Sequence, residues 1–106
     1  MLKSKAEIMF TLHGKNYTAH DKFHVAFNFG NDLLFGARIS GDTKKYFHNQ
    51  TYLVDLEFFT VCSEAYKVLQ PLLSTGMDLT MQAGRQLLGV ATLLEYEFIE
   101  SDQKPC

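Results

Sequence analysis

GMDLTMQAGRQLLGVATLLEY, residues 76–96, reads as strand, tight glycine turn, strand. Met77, Leu79 and Met81 alternate with Asp78, Thr80 and Gln82, which puts every second side chain on one face of a strand. Ala83-Gly84 supplies the turn, because glycine accepts backbone angles that other residues avoid. Beyond it Leu88, Val90, Leu94, Tyr96 and Phe98 form an expected inward series, with Thr92 as its polar exception and Glu95 and Glu97 on the wet side.

The same period runs outward through the chain. In Lys22–Gly30, Phe23, Val25, Phe27 and Phe29 point one way and His24, Ala26 and Asn28 the other. In Thr51–Thr60 the apolar face is Tyr52, Val54, Leu56 and Phe58, with Asp55 and Glu57 toward water. Two more strands are read at Ala6–Leu12 and Leu33–Ile39. Turn residues separate them at 13–16, 30–32, 40–42 and 74–76. Ser63–Leu73 breaks the pattern: Ala65, Val68, Leu69 and Leu72 recur at helical spacing, Ser63 suits the N-cap, and Pro71 ends or kinks the helix. Thr43–Gln50 reads as a polar connection. The expected fold is all-β, a six- or seven-stranded antiparallel barrel whose end is crossed by one short helix. Residues 1–100 form one domain in this reading, and 101–106 a frayed tail.

Composition narrows the function. A length of 106 residues suits a single core, and nine Phe with five Tyr favour pleated surfaces. The formal net charge of −2 runs against a general polyanion binder, since neutralising phosphates drives such binding. Cys62 and Cys106, the two cysteines, match neither a disulfide framework nor zinc spacing. No apolar run approaches the roughly 18 residues of a membrane-spanning helix. The first ten residues lack the apolar core of a secretory signal, so the cytoplasm of a bacterial cell is expected.

The closing hairpin also resembles that of the third, C-terminal β-barrel domain of elongation factor Tu. Gly76 matches the family's opening glycine, Leu79 and Met81 its inward pair, and Leu88-Gly89 its aliphatic-glycine step. Gln82-Ala83-Gly84 stands where the family has Arg-Glu-Gly, and Ala91 replaces a second glycine. Ala6-Glu7-Ile8 is similar to the Ala-Glu-Val that opens the domain, and Lys22–Gly30, Asp32–Ser40 and Tyr52–Thr60 follow in family order. The resemblance spans about residues 6–98 and implies a barrel of the translation-factor type. Ala19-His20-Asp21-Lys22 replaces the family's Tyr-Arg-Pro-Gln, and no G-x-x-x-x-G-K-[ST] loop exists to hold a nucleotide. Fold likeness alone is a weak warrant for function.

Residues with chemistry are scattered. His13, His20, His24 and His48 lack a second anchored pair, and although Asp21 adjoins His20 no metal or cofactor site is expected. Asp55 and Glu57 share a strand face and read as its wet side rather than as an acid–base pair. No catalytic triad or G-x-S-x-G is present, so no enzyme is expected. Lys44, Lys45, Tyr46 and Arg38 are the nearest approach to a basic, aromatic nucleic-acid patch. Leu53, Phe59 and Val61 fall on the face that alternation assigns outward, as do Leu87 and Leu93, and Arg85 follows the glycine turn. These features lead to an expected non-catalytic module that binds a protein partner or a second copy through the barrel surface, an accessory or inhibitor-like (immunity-type) protein. The alternative is an RNA- or tRNA-binding, translation-associated module.

Overall fold

A computed structural model describes residues 1–11, 17–18, 24–30, 33–41, 45–47, 49–83 and 86–99. Among the described residues eight strands run in chain order: β1 (Leu2–Phe10), β2 (Tyr17–Thr18), β3 (His24–Asn28), β4 (Leu34–Gly41), β5 (Lys45–Tyr46), β6 (Thr51–Phe58), β7 (Asp78–Ala83) and β8 (Gln86–Phe98). Six of them close a barrel in the order β1-β6-β4-β3-β7-β8, and β2 pairs with β5 as a separate ribbon. All the described pairings are antiparallel. The expected all-β barrel with one short helix is therefore the observed architecture.

Alternation fills the interior. From β1 come Leu2, Ser4, Ala6, Ile8 and Phe10, and from β6 Val54, Leu56 and Phe58, all buried. At the end where β1 begins, Phe58 meets Phe27 and Phe29 edge-on at 5.5 and 5.3 Å between ring centroids. At the opposite end Tyr46 packs against Phe10 and Tyr52, at 5.8 and 5.0 Å. Such tilted aromatic pairs add to the burial of their apolar area.

Between β6 and β7 the chain crosses the end where β1 begins. Helix α1 (Ser63–Leu69) runs into a 3₁₀ turn at Gln70–Leu72, with Pro71 in its first turn, where its missing amide costs nothing. The N-cap is Cys62, one residue before the expected Ser63. Leu69 and Leu73 are buried, while Tyr66 stacks on Phe98 with centroids 4.2 Å apart and planes within 8°.

β8 departs from simple alternation twice. Met81 pairs with Gly89 and Gln82 with Leu87, leaving Leu88 as an extra residue opposite β7. Lys5 pairs with Glu95 and Ala6 with Leu93, leaving Leu94 as a second extra residue opposite β1. Each bulge shifts the side-chain phase by one. Between them Ala91 and Leu93 point inward, and Val90 and Thr92 outward. The expected inward Val90 is thus exposed and the expected outward Leu93 fully buried. Thr92, the polar exception, faces out and donates to Asp78 Oδ1 at 3.1 Å.

Gly89 sits in the tightest place of the barrel, paired with Phe10 on one side and Met81 on the other. A Cβ there would overlap the Met9 carbonyl oxygen and lie 2.9 Å from Phe10 Cα and 2.8 Å from Met81 Cε. Backbone atoms cannot yield as a flexible side chain can. Gly89→Ala should therefore lose about 2–3 kcal/mol in chemical denaturation, or fail to fold, as overpacking does. Gly36→Ala, where a Cβ meets nothing within 4 Å, should stay within about 1 kcal/mol of wild type.

Candidate binding face

The outer surface of β4, β6, β1 and β8 is written by the same alternation. Facing residues line up across four strands: Arg38 opposite Glu57, Glu57 opposite Lys3, and Lys3 opposite Glu97. One step along, Ser40 lies opposite Asp55, Asp55 opposite Lys5, and Lys5 opposite Glu95. Opposite charges at such cross-strand positions favour this register over a slipped one. Two of these contacts close as ion pairs, Arg38 to Glu57 at 2.8 Å and Lys5 to Glu95 at 3.8 Å. The surface here is concave, a groove of about 580 Å³ lined by Lys3, Lys5, Asp55, Glu57, Glu95 and Glu97.

Exposed apolar groups stand at either end of the β6 row. Leu53 is 64% exposed and pairs with Glu7, and Phe59 is 51% exposed just past the strand end. The Arg38 guanidinium lies 5.3 Å from the Phe59 ring centroid while its other contact, Glu57, holds it at 2.8 Å. A cation over an aromatic face gains from the ring quadrupole, and here the same cation is anchored by a carboxylate.

The remaining expected residues fall elsewhere. Val61 is fully buried, a correction to the outward reading. β6 ends at Phe58 and the chain turns, with the Val61 amide donating to the Phe58 carbonyl, so strand alternation no longer applies. Tyr46 is likewise corrected: its ring is fully buried, because the β2–β5 ribbon folds it inward. Lys45 beside it is exposed, its ammonium 5.1 Å from the Phe47 centroid. Arg38 stands on β4 and is paired with Glu57 of β6, away from that ribbon, so the structure does not unite Arg38, Lys45 and Tyr46 in one basic patch. Lys44 and Arg85 lie outside the described residues, as do His13, His20, His48 and Asp21. Backbone pairing sets His24 opposite Arg38. Cys62 is disulfide-bonded, although the spacing of the two cysteines suggests no disulfide framework, and Cys106 lies outside the described residues.

Lys3 and Lys5 are the groove residues that sequence reasoning missed. Their signal was the K-x-K spacing, which matches E-x-E at 95–97 and D-x-E at 55–57. Among the described residues no group of three or more His, Cys, Asp or Glu is arranged to hold a metal ion. None of the described helices is long and apolar enough to cross a membrane. Comparison with protein-family models, with curated proteins and with solved structures finds no match.

Two buried polar groups make measurable demands. Ser4 lies between Leu56 and Tyr96 in the strand pairings, and its buried hydroxyl finds no hydrogen-bond partner among the described residues. Removing an unsatisfied hydroxyl should help, so Ser4→Ala is expected to raise stability by about 1 kcal/mol in urea denaturation. Burial, and then the neighbouring Tyr52, push the Tyr46 phenol above its usual value. The folded state therefore holds this proton more tightly than the unfolded chain does. Its contribution is complete below about pH 10 and is lost as pH rises through the folded value. The Tm of Tyr46→Phe should accordingly fall less than that of wild type over this alkaline range.

Proposed function

We propose that the protein is a non-catalytic binding module that holds a protein partner of basic character on the outer face of β4, β6, β1 and β8. The observation that carries this reading is Phe59, half exposed just past the end of β6 and covered by the Arg38 guanidinium, which Glu57 holds in turn. Arg and aromatic anchors held rigid before contact are the residues that contribute most at protein interfaces, since little entropy remains to be lost. The groove is lined by four carboxylates against two ammonium groups. Its field therefore favours a partner that presents Lys or Arg beside an apolar side chain.

Nucleic acid draws less support, because these carboxylates repel phosphate and Arg38 is committed to Glu57. The role of accessory or inhibitor-like protein fits a module with a preformed surface. We also propose that the barrel is of the same kind as the third domain of elongation factor Tu, on the hairpin residues Gly76, Leu79, Met81, Leu88 and Gly89.

The experiment is an affinity capture from an extract of the source organism at low salt, with wild type, Phe59→Ala and Asp55→Lys compared side by side. Wild type should retain one stoichiometric protein, and each variant should bind it about tenfold or more weakly at unchanged Tm. Retention of nucleic acid alone, released steeply by salt, would overturn the reading. Equal retention by both variants would do the same.

A further inference from the structure

On the outer face of β4, β6, β1 and β8 the charge changes sign from strand to strand. In one row β4 offers Arg38, β6 Glu57, β1 Lys3 and β8 Glu97. In the next they offer Ser40, Asp55, Lys5 and Glu95. Read across the strands, the columns run plus, minus, plus, minus. We propose that a second copy of this chain packs on this face, related by a two-fold axis that runs along the strands between β6 and β1.

The sign pattern selects both the occupant and its orientation. A two-fold axis lying in the contact plane along the strands keeps the rows and reverses the order of the columns. β6 then lies over β1 of the second copy, and β4 over its β8. Glu57 meets Lys3, Asp55 meets Lys5 and Arg38 meets Glu97, each contact made twice, while Ser40 offers its hydroxyl to Glu95. An axis running across the strands would instead set every column on itself, like charge on like. Only the first arrangement makes the pattern self-complementary.

The groups involved are available for such a contact. Lys3, Lys5, Asp55, Glu95 and Glu97 are exposed, and Arg38 and Glu57 are half-buried. The ion pairs Arg38–Glu57 and Lys5–Glu95 leave Lys3, Asp55 and Glu97 with none among the described residues. The groove of about 580 Å³ between these side chains gives the flexible stems of Lys3 and Lys5 room to extend toward the second copy. Each charge keeps its neighbours of opposite sign within the sheet and gains one across the contact. None is covered unpaired, which is the costly case. Sheets packed face to face keep their strands within about 30°, a rotation that moves these two rows by less than one strand spacing. The contact is small for a specific interface, so the association is weak and reversible. It concerns the free chain and does not rest on the capture of a basic partner, for which the second copy is a competitor on the same face.

Sedimentation of the purified chain under reducing conditions tests this. At low ionic strength wild type should form a dimer whose share rises with protein concentration. That share should fall as salt shortens the Debye length from about 10 Å at 0.1 M to about 3 Å at 1 M. Lys3→Glu with Lys5→Glu sets minus against minus beside the axis, and Asp55→Lys with Glu57→Lys sets plus against plus. Each double variant alone should therefore be monomeric. Mixed in equal amounts, the two restore opposite signs in every column and should form a heterodimer. Because a double reversal also disturbs the ladder within the barrel, wild type carries a second readout. Isotope-labelled and unlabelled chains, mixed and joined by a carbodiimide, should yield mixed-isotope peptide pairs linking Lys3 to Glu57 and Lys5 to Asp55. Wild type that stays monomeric at low salt would overturn the dimer. So would a double variant that dimerises alone, a mixture of folded variants that stays monomeric, or cross-links confined to single chains.

Discussion

The barrel depends on β8 being bonded along both of its edges. It pairs with β7 through its first half and with β1 through nearly its whole length, and that second pairing turns an open sheet into a closed one. Closure requires two backbones to converge on Gly89, where a side chain would collide with the main chain of Met9 and Phe10. It also requires β8 to curve more than its neighbours, and the bulges at Leu88 and Leu94 supply that extra length and twist. A closed barrel has no unpaired edge, so association by added strands is denied to these six. Any partner must meet side chains.

Much of this was legible because a period of two is a strong signal when it is unbroken. β3, β4, β6 and β7 lie within a residue or two of their expected spans, and Pro71 marks the end of α1 as its chemistry requires. Where reading failed, a specific local event had changed the period or hidden it. Val90 and Leu93 exchanged faces because two bulges, neither with a sequence mark of its own, flip the phase and flip it back. The first half of β1 was overlooked because Ser4 stands inward between Lys3 and Lys5, so Leu2–Lys5 shows no apolar alternation. Tyr46 was placed on a polar connection because a two-residue ribbon is too short to declare itself.

The charged face was half legible for a related reason. Asp55 and Glu57, with Glu95 and Glu97, read as wet positions on separate strands, and their convergence is a property of strand order. β1 lies between β6 and β8, so its two lysines enter between two pairs of carboxylates. An isolated surface ion pair contributes little, because water screens it and side-chain ordering opposes it. A ladder across four strands acts differently. Each charge is placed by backbone register, so the pattern is kept even where an individual contact is long, as in the 3.8 Å of Lys5 to Glu95.

Core and face are consequently one design read from two sides. In β1 the residues Leu2, Ala6 and Ile8 hold the strand in register from within, and that register alone brings Lys3 opposite Glu57 and Glu97. A slip of one residue would bury lysine and expose leucine, so the packing that stabilises the barrel also protects the charge pattern. Phe59 is the exception that gives the face its direction. It lies past the strand, free of the alternation, and the chain turns beneath it so that Val61 is buried while Phe59 is left at the rim. Arg38 then reaches from β4 to cover the ring, and Glu57 holds that guanidinium at 2.8 Å. In the proposed binding mode, the exposed part of that ring is where an incoming apolar side chain would gain most for least reorganisation.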